Sequence, residues 1–67
     1  AEEYLVMALR LAEGLDIARY ETLAGKRFDA DVIATLNGHG LIQKIEGRLK
    51  ATPQGRLVLN RLVAELA

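Results

Sequence analysis

The sequence predicts a small, mainly α-helical α+β domain, and three observations lead to that prediction. Sixty-seven residues make one domain at most, so residues 1–67 are expected to form a single unit. Three stretches with helical spacing of apolar residues come first, and the spacing changes to an extended pattern around Glu46-Gly47. A Thr-Pro pair then opens one more helix. Three helices, a two-stranded hairpin wing and a C-terminal helix follow one another in a winged-helix-like order.

The first helix is predicted over residues 2–13, where the sequence reads EEYLVMALRLAE. Glu2 and Glu3 suit the positive end of the helix dipole, and Gly14 is placed to end the helix in a left-handed conformation. The apolar side chains of this helix cover roughly 200° of the helical wheel, about twice the arc that a surface helix needs. The apolar side chains beyond that arc need a second surface to pack against, besides the domain's own core.

The wide apolar arc divides into two sectors. One sector, Leu5-Leu9-Ala12, is expected to face the core of the domain. The other sector, with a basic residue at its polar edge, is the candidate docking face, since an exposed apolar stripe marks an interaction surface. The docking face consists of Tyr4, Met7, Leu11 and Arg10. The alternative is a central helix that the second and fourth helices cover on both sides, and the sequence leaves both arrangements open.

Two aspartates predict the starts of the second and third helices. Asp16 can cap a helix over Ile17–Ala24, and Gly25 can end it. Asp29 can cap the next helix, whose sequence is ADVIATLNGHG. Its apolar residues share one helical face: Val32, Ile33 and Leu36. The glycine at position 38 or 40 is expected to close this helix.

The last third of the chain predicts a hairpin and a helix. The segments LIQKI and RLKA flank Glu46-Gly47, a short loop with glycine where a positive φ is needed. Thr52 as N-cap and Pro53 at the first helical position start the last helix. Gly55 lies in the middle of the apolar arc of this last helix. Either its missing side chain allows another element to come close, or the glycine has no structural role. The arc of roughly 140° consists of Val58, Leu59, Leu62, Val63 and Leu66.

The composition argues against catalysis by this chain alone. The chain has no cysteine, which excludes disulfides and thiolate metal sites, and the single histidine cannot assemble a zinc site without several carboxylates around it. That histidine, His39, lies between two glycines, a setting typical of a solvated side chain. Asp29 and Asp31 are better explained by helix capping than as a catalytic pair. No run of roughly 18 apolar residues and no signal peptide is found, so a cytoplasmic location is expected.

A free-standing nucleic-acid-binding module is the alternative function, and a protein-interaction module is a third possibility. The wing carries basic residues that would contact phosphates: Lys44, Arg48 and Lys50. Against this, nine Lys and Arg balance nine Asp and Glu, whereas a nucleic-acid-binding domain is usually clearly basic. The third helix, in the recognition position, has no Arg or Lys. These features favour a solvated hairpin over a DNA-binding wing.

Three stretches carry a family resemblance: EEYLVMALRLAEGLD, LNGHGLI and RLKATPQGRLVLNRLVAEL. They contain an acidic opening before a Met/Leu-rich helix with Ala8-Leu9-Arg10, then Gly14-Leu15-Asp16, Gly40-Leu41, and a Thr-Pro-x-Gly-Arg start of the last helix at residues 52–56. In this order and spacing they resemble the C-terminal domain of oxygen-independent coproporphyrinogen III oxidase-like (radical SAM) proteins, including the haem-chaperone branch. Ala8 stands where this family commonly has glycine.

The resemblance implies a non-catalytic C-terminal domain that packs on the catalytic barrel of the same polypeptide, with the porphyrin or haem site of the parent at its border. The family's barrel carries a Cys-x-x-x-Cys-x-x-Cys motif for a 4Fe–4S cluster and binds S-adenosylmethionine. None of these cofactors can be placed on a residue of this cysteine-free chain. Haem ligation in the chaperone branch belongs to a His-Asn…Tyr-Trp motif upstream, which His39 does not fit. The oxidase and chaperone branches both remain open for the parent.

Overall fold

The computed structural model describes all 67 residues as five helices and one three-stranded antiparallel sheet. The helices are α1 (Glu2–Ala8), α2 (Ile17–Ala24), α3 (Ala30–Gly38), α4 (Pro53–Arg56) and α5 (Leu59–Leu66). The strands are β1 (Leu15–Asp16), β2 (Ile42–Ile45) and β3 (Arg48–Ala51). This confirms the predicted mainly helical α+β class, with the hairpin between the third helix and the C-terminal helical segment.

The first helix is shorter than predicted. It ends at Ala8, and the chain continues in tight turns in which Arg10 N–H donates to the Met7 carbonyl at 3.3 Å and Leu11 N–H to the Ala8 carbonyl at 3.1 Å. These hydrogen bonds join residues three positions apart, as in a 3₁₀-helix, so the backbone is wound more tightly than in an α-helix. They turn the chain from α1 towards β1 and still bring Leu9 into the core, where it is completely buried. A helix running to residue 13 would not make this turn.

The second and third helices have the predicted caps. The Asp16 carboxylate accepts the Arg19 N–H at 3.2 Å, and Gly25 ends α2 with a φ of 69°. The Asp29 carboxylate accepts two backbone N–H groups at the start of α3, from Asp31 at 2.8 Å and Val32 at 3.4 Å. Each bond satisfies an N–H that has no partner within its helix. The starts of both helices are therefore fixed by side chains that the sequence identified.

The sheet contains a strand that the sequence analysis missed. The strand order is β1-β3-β2, so β1 adds to the free edge of the predicted hairpin, with Leu15 opposite Leu49 and Asp16 opposite Arg48. Gly14 leads into β1 with a φ of 78°, the predicted left-handed conformation. Two residues are too few to show the alternation that identifies a strand. The pairing depends on the neighbouring strand, which periodicity within residues 14–16 cannot indicate.

The predicted single C-terminal helix is broken between α4 and α5. Leu57 and Val58 donate to the carbonyls three residues earlier, and Val58 has a non-helical φ of −127° and ψ of 37°. Gly55 holds α4 against the backbone of Leu41, while Leu62 must reach the core from α5. The break lets both contacts form. It also leaves Val58, which was predicted in the core-facing arc, 36% exposed.

The core lies where α1, α5 and the sheet meet, with contributions from α2 and α3. Its buried side chains are Leu5, Ala8, Leu9, Leu15, Tyr20, Leu36, Ile42, Leu49, Ala51, Leu62 and Leu66. No polar or charged residue is among the buried ones. The rings of Tyr20 and Phe28 stack at a centroid distance of 4.4 Å and extend this apolar body towards the α2–α3 loop. None of the five helices is long and apolar enough to cross a membrane.

Candidate functional site

The docking face begins on the side of α1 that points away from the core. Leu5 and Leu9 are completely buried, whereas Met7 is 70% exposed and Leu11 in the following turn is 49% exposed. The first helix therefore buries one apolar sector and leaves large apolar side chains of the other in solvent. This exposure is what a docking face at these residues requires.

Tyr4 is the most buried member of the docking face. Its ring packs against the core, and its hydroxyl oxygen accepts the N–H of Asp16 at 3.2 Å. The Tyr4 side chain therefore also stabilises the domain itself, because this hydrogen bond links α1 to the N-cap residue of α2. The remaining surface of the ring borders Arg19, whose guanidinium carbon lies 5.4 Å from the ring centroid. The sequence analysis missed Arg19, since no spacing on one helix relates it to Tyr4.

The segment after α1 differs from the prediction at one residue of the core-facing sector. Arg10 is exposed in the turn after α1, in keeping with a polar edge. Ala12, which was assigned to the core-facing sector, is also exposed. That assignment is wrong because α1 ends at Ala8, so helical spacing no longer sets the direction of residue 12.

The basic residues of the wing do not share one face of the sheet. In β3 the side chains of Arg48 and Lys50 alternate with that of the buried Leu49. Lys44 is the cross-strand partner of Leu49, so Lys44 projects to the opposite face from Arg48 and Lys50. Lys50 is only half exposed, and its Cγ lies close to Gly14. Lys44, Arg48 and Lys50 therefore do not form one continuous basic surface.

Acidic side chains surround the two basic residues at the tip of the wing. Lys44 and Arg48 border a shallow groove between the hairpin and the start of α2. The same groove is lined by the carboxylates Asp16, Glu21 and Glu46. A phosphate backbone entering this groove would meet more negative than positive side chains, and its binding would be unfavourable.

The polar side chains elsewhere do not assemble a metal centre. His39 is exposed at the end of α3, at the mouth of a cavity of about 230 Å³ between α3 and α5. No group of three or more His, Cys, Asp or Glu side chains is close enough together to hold a metal ion. The residues of this chain do not fit an iron–sulfur cluster, whose usual ligands are cysteine thiolates, because the chain contains none.

A family comparison adds to this geometry. Residues 1–58 match the family described as the HemN C-terminal domain. The chain belongs to this family. No curated protein and no solved structure matches the chain. The match confirms the resemblance that the three sequence stretches indicated, and it includes α1, the sheet and α4. As a HemN C-terminal domain, the chain is one part of HemN-like proteins, and the candidate docking face lies within the matched residues.

Proposed function

We propose that this HemN C-terminal domain is a non-catalytic domain that packs on the catalytic barrel of its parent protein through Tyr4, Met7, Leu11 and Arg10. The parent is a radical SAM protein of porphyrin metabolism, either a coproporphyrinogen III oxidase-like enzyme or a haem chaperone. Family membership supports the existence of a neighbouring catalytic domain. The apolar residues that α1 and the following turn leave in solvent support the position of the contact.

One observation carries this proposal: Met7 is 70% exposed on a helix that buries Leu5 completely. Burying Met7 and Leu11 against a neighbour would contribute about 2–4 kcal/mol together, allowing for the part of Leu11 that is already covered. Tyr4 would add less than its size suggests, because much of its ring already packs on the domain's own core. The contribution is large enough to hold two covalently linked domains together.

In this proposal the reaction takes place outside this chain. The 4Fe–4S cluster and S-adenosylmethionine belong to the barrel, where the family's cysteine motif lies, and this chain contributes no ligand to them. The domain borders the porphyrin site, or the haem site in the chaperone branch, by covering one side of the barrel. A cytoplasmic location completes the proposal.

The proposal can be tested through the oxidation of Met7, which is the only methionine in the chain. A short peroxide pulse converts an accessible thioether to the sulfoxide, and mass spectrometry of the peptide that contains Met7 gives the rate. In the 67-residue domain Met7 is expected to oxidise nearly as fast as in a free peptide. In the full-length parent we expect oxidation at least about tenfold slower, because the barrel covers the side chain.

Two variants of the full-length parent make this test specific. Leu11→Ser removes apolar surface from the docking face and is expected to raise the oxidation rate of Met7 in the parent. Leu57→Ser is the matched control, because Leu57 is 86% exposed at the α4–α5 break and is not part of the docking face. Equal oxidation rates for Met7 in the isolated domain and in the parent would refute the proposal.

A further inference from the structure

We infer that Arg19 is a second cation of the docking face, besides Arg10, and that it pairs with an acidic side chain of the barrel. This inference rests on the proposed function and adds the chemistry of the partner surface. It starts from the contact between α2 and α1, which places a guanidinium beside the half-buried Tyr4 of the docking face. The docking face predicted from the sequence contained only residues of the first helix and its continuation.

Contacts within the domain position both the backbone and the guanidinium group of Arg19. Its backbone N–H donates to the Asp16 carboxylate at the N-terminus of α2. Its guanidinium carbon lies 5.4 Å from the centroid of the Tyr4 ring, within the distance of a cation–π contact. Tyr4 is itself held by the hydrogen bond from Asp16 N–H. The charge is therefore held over the docking face before any partner arrives, which reduces the entropy lost on binding.

The guanidinium keeps its hydrogen-bonding capacity for a partner. Arg19 is exposed, and its hydrogen bond within the domain uses the backbone N–H. An arginine that stacks on an aromatic ring still presents the N–H donors along the edge of its planar group. Leu23, one turn further along α2, is 55% exposed and lies on the same side of the helix as Arg19. Arg19 thus adds a residue of α2 to the docking face in this inference.

The chemistry of this edge selects a carboxylate as the partner. A guanidinium binds the two oxygens of a carboxylate through parallel hydrogen bonds, and such pairs combine strength with a fixed orientation. Docking would also remove water from the pair and strengthen both the carboxylate contact and the contact with the Tyr4 ring. We therefore assign to the barrel an Asp or Glu beside the apolar surface that receives Met7.

The test uses full-length parent protein and the oxidation rate of Met7 as the measure of undocking. We expect Arg19→Gln to raise that rate about tenfold, the loss typical of a charge-assisted hydrogen bond. The rate for the parent with Arg19 is expected to rise with salt concentration, because salt screens a partly exposed ion pair. The Arg19→Gln rate is expected to rise less steeply with salt, because Arg10 is then the remaining cation of the docking face. Arg19→Lys should fall between the two, since lysine keeps the charge and loses the fork geometry.

The matched control is Arg27→Gln, which removes an exposed arginine from the α2–α3 loop and is expected to change neither the rate nor its salt dependence. In the isolated domain Arg19→Gln is expected to leave Met7 oxidation unchanged, which separates docking from internal stability. If Met7 is protected in the parent and Arg19→Gln behaves as Arg27→Gln does, this inference is wrong and the proposed function stands. If Met7 is unprotected in the parent, the proposed function fails as well.

Discussion

The backbone at Gly55 lies directly against the carbonyl group of Leu41, so that a Cβ at residue 55 would overlap the Leu41 oxygen. The carbonyl carbon of Leu41 would be 2.9 Å from the same Cβ. The contact joins the start of α4 to the segment between α3 and β2. The sequence left two interpretations of Gly55 open, and the structure confirms the one in which the missing side chain admits a neighbour.

Gly55→Ala is therefore expected to destabilise the domain by about 3 kcal/mol, because the obstacle is a backbone carbonyl that cannot rotate away. Urea denaturation of the 67-residue chain measures the change. Gly38→Ala is the matched control: Gly38 is in α3 with open space around it. That substitution should be neutral or stabilise the domain by up to about 0.5 kcal/mol, since Gly38 is the last residue of the helix. A Gly55→Ala variant as stable as the unsubstituted 67-residue chain would contradict the close contact.

Gly14 and Gly25 separate the effect of backbone conformation from that of crowding. Both have a positive φ, 78° and 69° respectively, but only Gly14 is crowded, with a Cβ position 2.7 Å from the Leu49 carbonyl oxygen. Gly25→Ala is expected to cost about 1 kcal/mol for the left-handed conformation. Gly14→Ala should cost about 2–3 kcal/mol, because the clash adds to that term. Equal losses in a thermal or urea unfolding experiment would show that β1 does not hold Gly14 against β3.

Thr52 links the start of α4 to the turn after α3 through two hydrogen bonds, and removing its hydroxyl is expected to remove both bonds and destabilise the domain. Its hydroxyl accepts the Gly55 N–H at 3.0 Å and donates to the Gly40 carbonyl at 2.6 Å. Thr52→Ala should destabilise the domain by about 1–2 kcal/mol, while Thr52→Ser should retain most of the stability. Thr22→Ala, which removes an exposed hydroxyl from α2, should be neutral or slightly stabilising. The prediction is wrong if the alanine variants at 52 and 22 are equally stable.

Duplex DNA is not expected to bind this domain. Lys44 and Arg48 lie beside three carboxylates, and α3 carries no basic residue. Fluorescence anisotropy at low salt should show no saturable binding with a Kd below about 100 μM, the weak end of non-specific binding. Micromolar binding that weakens steeply with salt, and is lost in a Lys44→Glu and Arg48→Glu double variant, would support the nucleic-acid alternative instead.

Local signals in the sequence predicted the elements that local interactions build. Asp16, Asp29 and Thr52 identified three helix starts, and the hairpin was found because Glu46-Gly47 is a turn sequence. Each of these features depends on residues within one or two turns of each other. Short-range chemistry is visible in a single sequence, and the structure agrees with it there.

The predictions failed where distant contacts decide the backbone. The end of α1 at Ala8, the strand β1 and the break at Val58 all depend on elements elsewhere in the chain. The same limit applies to the candidate site. The exposure of Met7 and Leu11 was one of two arrangements that the helical wheel left open, whereas Arg19 reaches Tyr4 only through the packing of α2 on α1. Docking itself stays a prediction until the parent protein is tested.

The short strand β1 has a consequence for how the domain forms during translation. Leu15 is translated before its strand partner Leu49, which is translated only after α2, α3 and β2. On the ribosome, Leu15 must therefore wait without its strand partner until the wing has emerged. A nascent chain stalled before Arg48 should be far more sensitive to proteases, and a better substrate for a chaperone, than one released at its end.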